Sequence, residues 1–334
     1  MRALVCKRWC EFKDLTIEDV PVPALLPGTV RVRVAYASLS YALNLMVAGK
    51  YQHRPPLPFV PGKELTGVVT EIADGVAGIK AGDRVAAIVE SGAFADEAIA
   101  PVKTTYVVPA GVSLTSALPL PLSYGTAYTA LAWRARLQPG ETLLVHGAAG
   151  GVGLAAVQIG RELGARVIAT ASSEDKRAFL REQGVTAALP ADAFREEVKA
   201  LTGGAGADVI FDPVGGGVFD ESLRCAAPES RILVIGFAGG TPAQIPANIL
   251  LVKDVAVMGF YFGRYTGGGR RDESDRYAPA LKEMMATLLA WTRDGQIAPT
   301  VSRTFPLEEF REAMDLLMAR KTPGKIALRI GADE

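Results

Sequence analysis

The segment LLVHGAAGGVGLAAVQIG, residues 143–160, constrains the fold of this chain more than any other stretch. An apolar run enters a glycine cluster and leaves it as a helical pattern. Gly147, Gly150 and Gly153 are spaced G-x-x-G-x-x-G, with Gly151 and Val152 between them. Small residues have a chemical use in such a turn. A dinucleotide pyrophosphate must approach the backbone closely, and the N–H groups of the opening helix must point at it. A tight strand–helix turn without a ligand has the same local pattern. What favours the ligand is the context: a strand before, a helix after, and a second strand at the expected distance.

That second strand is expected at Arg166–Thr170 and leads into ATASSEDKR. Enzymes that use NAD commonly place an acid about 20 residues past the glycines, to bind the ribose 2′-hydroxyl. Here the position holds Ala171, Ser172 and Ser173, and Glu174 and Asp175 come only at the next helix start. Ser172 and Ser173 can donate to a 2′-phosphate, and Lys176 and Arg177 can neutralise it. The expectation is NADPH rather than NADH. Helix capping by Ser172 or Ser173, with Lys176 solvated, is compatible with the same residues.

The rest of the chain divides by period. At roughly 150 residues per domain, 334 residues predict about two domains. Up to residue 122 the pattern is β: Met1–Cys6, the alternating Val30–Ala37, Gly67–Ile72 and Arg84–Glu90, broken by dense Pro and Gly punctuation. Short strands with such turns predict a barrel-like antiparallel unit. Thr126–Leu137 reads as a helix. Strands at Thr142–His146, Arg166–Thr170, Val185–Leu189, Asp208–Phe211, Arg231–Ile235 and Asp254–Phe262 then alternate with helices at Val152–Leu163, Ser173–Gln183, Ala193–Leu201 and Phe219–Ala226. This predicts a doubly wound parallel sheet over 123–265. After the Gly- and Arg-rich stretch Gly263–Arg276, a long helix near Tyr277, a helix at Leu307–Ala319 and a strand at Lys325–Ile330 predict that 266–334 return to the first domain.

Composition removes competing classes. Lys plus Arg and Asp plus Glu are each 36, so net charge draws the chain toward neither nucleic acid nor an anionic membrane. Three cysteines, Cys6, Cys10 and Cys225, cannot staple a fold of this size and predict a reducing, cytoplasmic setting. No apolar window is long enough for a membrane span, and charges at Arg2, Lys7 and Arg8 interrupt any secretory signal. The only histidines are His53 and His146, and Cys6 and Cys10 have no second pair. The expectation is no metal.

The chain resembles the zinc-free quinone oxidoreductases of the medium-chain dehydrogenase/reductase family, the zeta-crystallin-like group. The matching pieces are AGKYQHRPPLPFVPGKELTGVV (48–69), GDRV (82–85), GAFADEAIAP (92–101), PLSYGTAYTAL (121–131), HGAAGGVGLAAVQIG (146–160), DVIFDPVGG (208–216), RILVIGFAGG (231–240), IPANILLVKDVAVMGFYFG (245–263) and TPGKIAL (322–328). The resemblance implies a GroES-like catalytic domain of β-barrel type and a Rossmann cofactor domain. Zinc-dependent relatives carry a histidine in a G-H-E segment, where this chain reads Gly62-Lys63-Glu64.

The resemblance also implies that Lys176 meets the 2′-phosphate. A tyrosine that often helps falls near Pro190 or Ala191 and is lost. By the same likeness Pro213, Val214, Gly215, Gly236 and Phe237 line the nicotinamide, while Phe260 and Phe262 in Gly259–Gly263, together with Lys325, close over the cofactor. A family pattern N-[FY]-x-D before G-x-Y reads Ser40-Tyr41-Ala42-Leu43-Asn44, then Gly49-Lys50-Tyr51. Ser40 and Leu43 are departures that imply a less polar pocket. In related proteins the strand equivalent to Ile249–Phe262 pairs with its twin, which implies a homodimer through this edge.

Hydride transfer needs alignment, exclusion of water and a donor to the acceptor oxygen. The candidates are Tyr41, Ser40, Asn44, Tyr51 and Thr126. Tyr41 reads equally as an oxyanion donor and as a packing aromatic. Lys63 reads as solvated or paired with Glu64, and His146 as structural. Arg264, Arg270, Arg271 and Arg276 read as a solvated loop more readily than as a phosphate site. The expected function is NADPH-dependent, zinc-independent reduction of a quinone. Reduction of α,β-unsaturated carbonyls or enoyl thioesters is the alternative, and a non-catalytic, crystallin-like nucleotide binder comes third.

Overall fold

The computed structural model describes residues 1–269 and 271–332. Arg270, one of the four loop arginines, lies outside the described residues. The chain forms two compact units, Met1–Gly125 with Gly263–Glu334, and Thr126–Phe262.

In the first unit, β1 (Arg2–Val5) pairs antiparallel with β2 (Thr16–Asp19) as a separate ribbon. The main sheet is built on β3 (Thr29–Ser38). Its alternation puts Val30, Val32 and Val34 in the core and turns Arg31 and Arg33 away, as a strand of period two requires. Helix α1 (Tyr41–Val47) follows. Then come β4 (Glu64–Ile72), β5 (Arg84–Ile88), β6 (Glu97–Pro101), β7 (Thr105–Val107) and the single turn α2 (Leu114–Ala117). One edge of β3 pairs with β4, and the other edge takes β6 along Thr29–Arg33. The sequence reading lacked β2, β6 and β7.

Near residue 126 the expected single helix is interrupted. The short α3 (Gly125–Tyr128) lies between two wide, π-type turns, Leu120–Tyr124 and Thr129–Ala135. Arg136 ends this stretch in a left-handed conformation, before Pro139-Gly140.

The second unit holds six parallel strands: β8 (Thr142–Val145), β9 (Arg166–Ala171), β10 (Ala187–Pro190), β11 (Ala207–Asp212), β12 (Ala226–Val234) and β13 (Ala256–Gly259). Their order is β10-β9-β8-β11-β12-β13. The linking helices are α4 (Gly151–Glu162), α5 (Glu174–Glu182), α6 (Arg195–Leu201), α7 (Gly217–Cys225) and α8 (Ala247–Lys253). Leu143, Leu144 and Val145 are fully buried, because helices cover both faces of such a sheet.

The extended Ile249–Phe262 strand is a correction. Ala247–Lys253 is helical, Asp254 ends it at a positive φ that an aspartate tolerates, and only Ala256–Gly259 is strand. Three successive apolar residues, Leu250–Val252, fit a strand in sequence but lack the alternation of a half-buried one.

The chain then returns to the first unit with α9 (Ser274–Arg293), β14 (Val301–Pro306), α10 (Phe310–Met318) and β15 (Lys325–Arg329). Strand β15 pairs with the end of β3, Ala327 opposite Ser38, and with β14. Phe12 meets Phe94 and Phe310 edge-on, with ring centroids 6.4 and 6.0 Å apart. Each such pair adds about 0.5–1.5 kcal/mol beyond burial, so the returning segment is part of this core.

Candidate functional site

The parallel sheet has a switch point. From β8 the chain moves to β9 and β10 on one side, while β12 and β13 lie on the other side, beyond β11. Ligands of open α/β sheets bind at such a point, off the carboxyl ends of the strands. The glycine turn follows β8, and Asp212–Gly216 follow β11. Both loops therefore open at the switch point.

The turn is fixed by backbone. Ala148 N donates to Thr170 O at 3.0 Å, and Gly150 N to Gly147 O at 2.9 Å. Gly147 has φ +55. A Cβ on Gly153 would sit 2.3 Å from Gly147 O and 2.8 Å from Ala148 Cα, so only glycine lets the helix start this close. No side chain caps α4 at its N-cap residue, Gly150. Its first N–H groups are thus left to a ligand or water, as an anion site requires.

Across the switch point, a Cβ on Gly147 would lie 3.5 Å from Val214 and 3.7 Å from Pro213. Ala238 N bonds Pro213 O and Gly239 N bonds Val214 O, both at 2.9 Å. A Cβ on Gly215 would lie 3.1 Å from the Phe237 ring. The structure therefore brings Gly147, Pro213, Val214, Gly215, Gly236 and Phe237 into adjoining loops. Phe260 N donates to Val234 O at 3.1 Å, and Phe262 is buried.

Sequence reasoning missed Asp212. Its Oδ1 accepts Val214 N and Gly215 N at 2.8 and 2.9 Å, shaping the loop, while Oδ2 is buried without a hydrogen bond. Burial raises its pKa, and the two N–H groups oppose that shift. The signal was an Asp two residues before a Val-Gly-Gly turn, a common Asx-turn arrangement. A cavity of about 520 Å³ lies beside this loop, lined by Asp192, Phe194, Val214, Gly215, Glu221 and Thr241 among others. Of the expected site residues it holds only Val214 and Gly215.

At the end of β9, Ser172 and Ser173 are exposed. Ser173 is the N-cap of α5 by position, but its side chain makes no capping bond. Lys176 is half-buried. Arg177 is committed: Nε donates to Glu174 at 3.0 Å and Nη1 to Ala171 O at 3.2 Å. Of the two expected cations, Arg177 thus acts on the backbone end of β9.

His146 lies under the glycine turn, fully buried. Nδ1 is 3.0 Å from Thr170 Oγ1, and Nε2 is 2.7 Å from Ser222 Oγ. Ser222 Oγ donates to Val218 O at 2.7 Å, so it accepts from Nε2–H, and Nδ1 accepts from Thr170. Burial pushes the imidazole pKa down to about 3. It is a neutral clamp, not a general acid.

In the first unit, Ser40 precedes α1 without capping it, and Tyr41 opens the helix with its side chain exposed. Asn44 is half-buried on the same helix, and Tyr51 packs against the core. Leu43 is fully buried in that core. The departure at Leu43 therefore changes packing rather than an open pocket wall. Thr126, half-buried, belongs to the other unit.

Glu64 does not pair with Lys63. Its buried carboxylate accepts Ser38 Oγ at 2.5 Å and Leu122 N at 3.0 Å, and lies 3.2 Å from Lys325 Nζ. Glu64 and Lys325 are both buried. This hub ties β3, β4, β15 and the Leu120–Tyr124 turn, and it gives the Lys325 ammonium an internal partner. Lys63 is half-buried, and burial lowers its pKa against the opposing charge of Glu90. His53 Nε2 lies 2.8 Å from Glu90, but without hydrogen-bond alignment. In the Gly263–Arg276 stretch, Arg264 pairs with Glu273 at 2.7 Å and Arg276 reaches the same carboxylate at 3.5 Å.

A zinc ion does not fit these residues. Among the described residues no cluster of three or more His, Cys, Asp or Glu has metal-binding geometry. Lys63 stands where a ligand would be needed, and Glu64 is already satisfied.

These features define a class, an oxidoreductase fold with a GroES-like unit and a Rossmann-type dinucleotide sheet. Residues 26–110 match the alcohol dehydrogenase GroES-like domain, and residues 151–284 match the zinc-binding dehydrogenase domain. Quinone oxidoreductase-like protein 2 of Rattus norvegicus is 40% identical over 333 residues, covering 98% of this chain and 92% of the relative. The Thermus thermophilus quinone oxidoreductase, solved also with NADPH, is 33% identical with a TM-score of 0.83, covering 99% of this chain and 100% of that one. The Escherichia coli quinone oxidoreductase–NADPH complex is 25% identical with a TM-score of 0.89 over the same shares. The chain belongs to the quinone oxidoreductase-like group of the medium-chain dehydrogenase/reductase family.

Proposed function

We propose that the chain is an NADPH-dependent, zinc-independent reductase that transfers hydride to a quinone. One observation carries this reading: an uncapped glycine turn at the switch point, followed at the ribose position by two exposed serines and no acid. NADPH-bound quinone oxidoreductases of the same fold support it.

When bound, NADPH supplies the hydride. The first N–H groups of α4, with Gly147, Gly150, Gly151, Val152 and Gly153, hold the pyrophosphate. Ser172, Ser173 and Lys176 hold the 2′-phosphate, while Arg177 fixes the strand end they stand on. Pro213, Val214, Gly215, Gly236 and Phe237 line the nicotinamide, and Phe260 and Phe262 back it. Lys325 supports Glu64 rather than the cofactor. A reduced quinone spreads its charge, so it needs only a hydrogen-bond donor and solvent protons. Tyr41 is that donor, because its phenol is exposed at a helix start, with Ser40, Asn44, Tyr51 and Thr126 as lesser polar groups.

By this reading residues 1–122 and 266–334 form the catalytic domain and 123–265 the NADP-binding domain. The protein acts in the cytoplasm on small molecules, without nucleic acid or membrane. Among the described residues no helix is long and apolar enough to cross a membrane. It pairs as a homodimer along β13, the outer strand of its sheet, with the exposed Leu251 and Val252 of α8 beside it.

The test is NADPH consumption by chelator-treated protein with an ortho-quinone and an α,β-unsaturated carbonyl side by side, and NADH as control. Turnover with the quinone and NADPH is expected. Turnover with the enone alone would replace the quinone with the carbonyl reading.

A further inference from the structure

His146 is fully buried beneath the glycine turn, yet its hydrogen bonds run to both walls of the dinucleotide site. On one side Nδ1 lies 3.0 Å from Thr170 Oγ1. The carbonyl of the same Thr170 accepts Ala148 N at 3.0 Å, so one residue of β9 holds both the imidazole and the turn. On the other side Nε2 lies 2.7 Å from Ser222 Oγ, which donates to Val218 O at 2.7 Å. Val218 and Ser222 belong to the first two turns of α7, which follows directly from the Pro213–Gly216 loop. Phe194, a wall of the cavity beside that loop, places its ring centroid 4.7 Å from the imidazole.

The tautomer is dictated by these partners. Ser222 gives its only hydrogen to Val218 O, so Nε2 carries the proton and Nδ1 accepts from Thr170. An apolar replacement strands the Thr170 hydroxyl, which is 1% exposed, and takes the donor away from Ser222. The turn needs an external hold of this kind. Residues 147–151 are glycine and alanine alone, and such backbone is conformationally permissive. Donors aligned before the ligand arrives bind it more tightly, because the ordering cost falls on folding.

We propose that His146 is a positioning residue for the cofactor site. It holds the glycine turn and the start of α7 in one register, so that the first N–H groups of α4 meet the pyrophosphate already aligned. This role rests on NADPH binding at that turn and not on the identity of the acceptor. The 2′-phosphate arm has its own anchor: Arg177 Nη1 donates to Ala171 O, and Ala171 pairs with Pro190 on β10. Cutting the His146 contacts therefore loosens the turn and spares the strand end.

The test is calorimetric binding of two ligands to the full chain. One is NADPH; the other is adenosine 2′-monophosphate, which has the 2′-phosphate and lacks the pyrophosphate. His146→Leu should raise the Kd for NADPH about tenfold, and that for adenosine 2′-monophosphate less than about twofold. Amide exchange over residues 147–153 should quicken. Thr170→Val keeps the shape and removes the hydroxyl, and should raise the Kd for NADPH about threefold. The double variant should bind no more weakly than His146→Leu alone, because both changes cut the same contact. His146→Asn, whose amide oxygen can accept from Thr170 in place of Nδ1, should restore most of the affinity. Unchanged NADPH affinity in His146→Leu and Thr170→Val would overturn the proposal. Equal weakening of both ligands, the mark of a general loosening, would overturn it too. If His146→Leu does not fold, Thr170→Val decides the matter by the same two ligands. Wild-type protein that fails to bind NADPH would overturn the cofactor site and this role with it, whereas normal binding by the variants overturns this role alone. No acceptor enters these readouts, so failure of the quinone reading is separate.

Discussion

Lys325→Met separates two roles for this lysine, closure over the cofactor and support of Glu64. The structure gives its ammonium a carboxylate at 3.2 Å, with the Glu64 and Lys325 side chains 1% and 7% exposed. Removing one member of a buried pair leaves an uncompensated charge and costs about 3–5 kcal/mol. For a unit of 150–250 residues, about 2–4 °C per kcal/mol predicts a fall in Tm of roughly 6–20 °C. In the double variant Glu64→Gln with Lys325→Met, the amide still accepts from Leu122 N and can donate to Ser38 Oγ, so no charge is stranded. The double variant should therefore recover at least half of the loss. Urea unfolding, followed separately by far-UV signal and by NADPH-protected fluorescence, measures both units without assuming one transition. NADPH affinity, measured well below the variant's Tm, should be unchanged. A loss under about 1 kcal/mol, or a double variant no better than the single, would refute the buried-pair argument. NADPH binding weakened equally in both variants would return Lys325 to the cofactor.

Gly153→Ala should lower NADPH affinity and Tm together, since its Cβ meets backbone at 2.3 Å; overpacking of this kind costs about 1–3 kcal/mol. Gly150→Ala, at 3.3 Å, should be milder in calorimetry and thermal melts. Lys176→Glu should weaken NADPH about tenfold or more, equivalent to about 1.4 kcal/mol, and NADH little; equal weakening in titration would sink the 2′-phosphate assignment. His146 has a folded pKa of about 3, below its unfolded value. The unfolded chain therefore binds the extra proton first, and stability is lost as pH falls from about 6.5 toward 3, by up to about 1.4 kcal/mol per pH unit. His146→Gln should flatten that part of the pH–stability curve, measured by urea midpoints.

The parallel sheet was legible because its strands are buried on both faces and its helices are amphipathic, so length and period separate them. The glycine turn was legible for a different reason. A Cβ at Gly153 would meet backbone at 2.3 Å, and a residue type favoured so strongly by geometry shows in a single sequence. The misread segment, Ile249–Phe262, had neither property. Leu250, Leu251 and Val252 suit strand or helix alike, and Asp254, whose φ of +55 ends the helix, looks in sequence like any surface acid.

The candidate site divides along the same physical line. The glycine turn after β8 could be placed from spacing, because it uses neighbouring residues, while Asp212, whose carboxylate bonds Val214 N and Gly215 N, was not singled out. Side-chain partnerships across long separations could not be placed that way. Glu64 is adjacent to Lys63 in sequence, and a near-neighbour pairing is the natural reading. The fold decides otherwise: Lys63 lies just before β4, while Glu64, the strand's first residue, meets Ser38 on β3 and Lys325 at the start of β15.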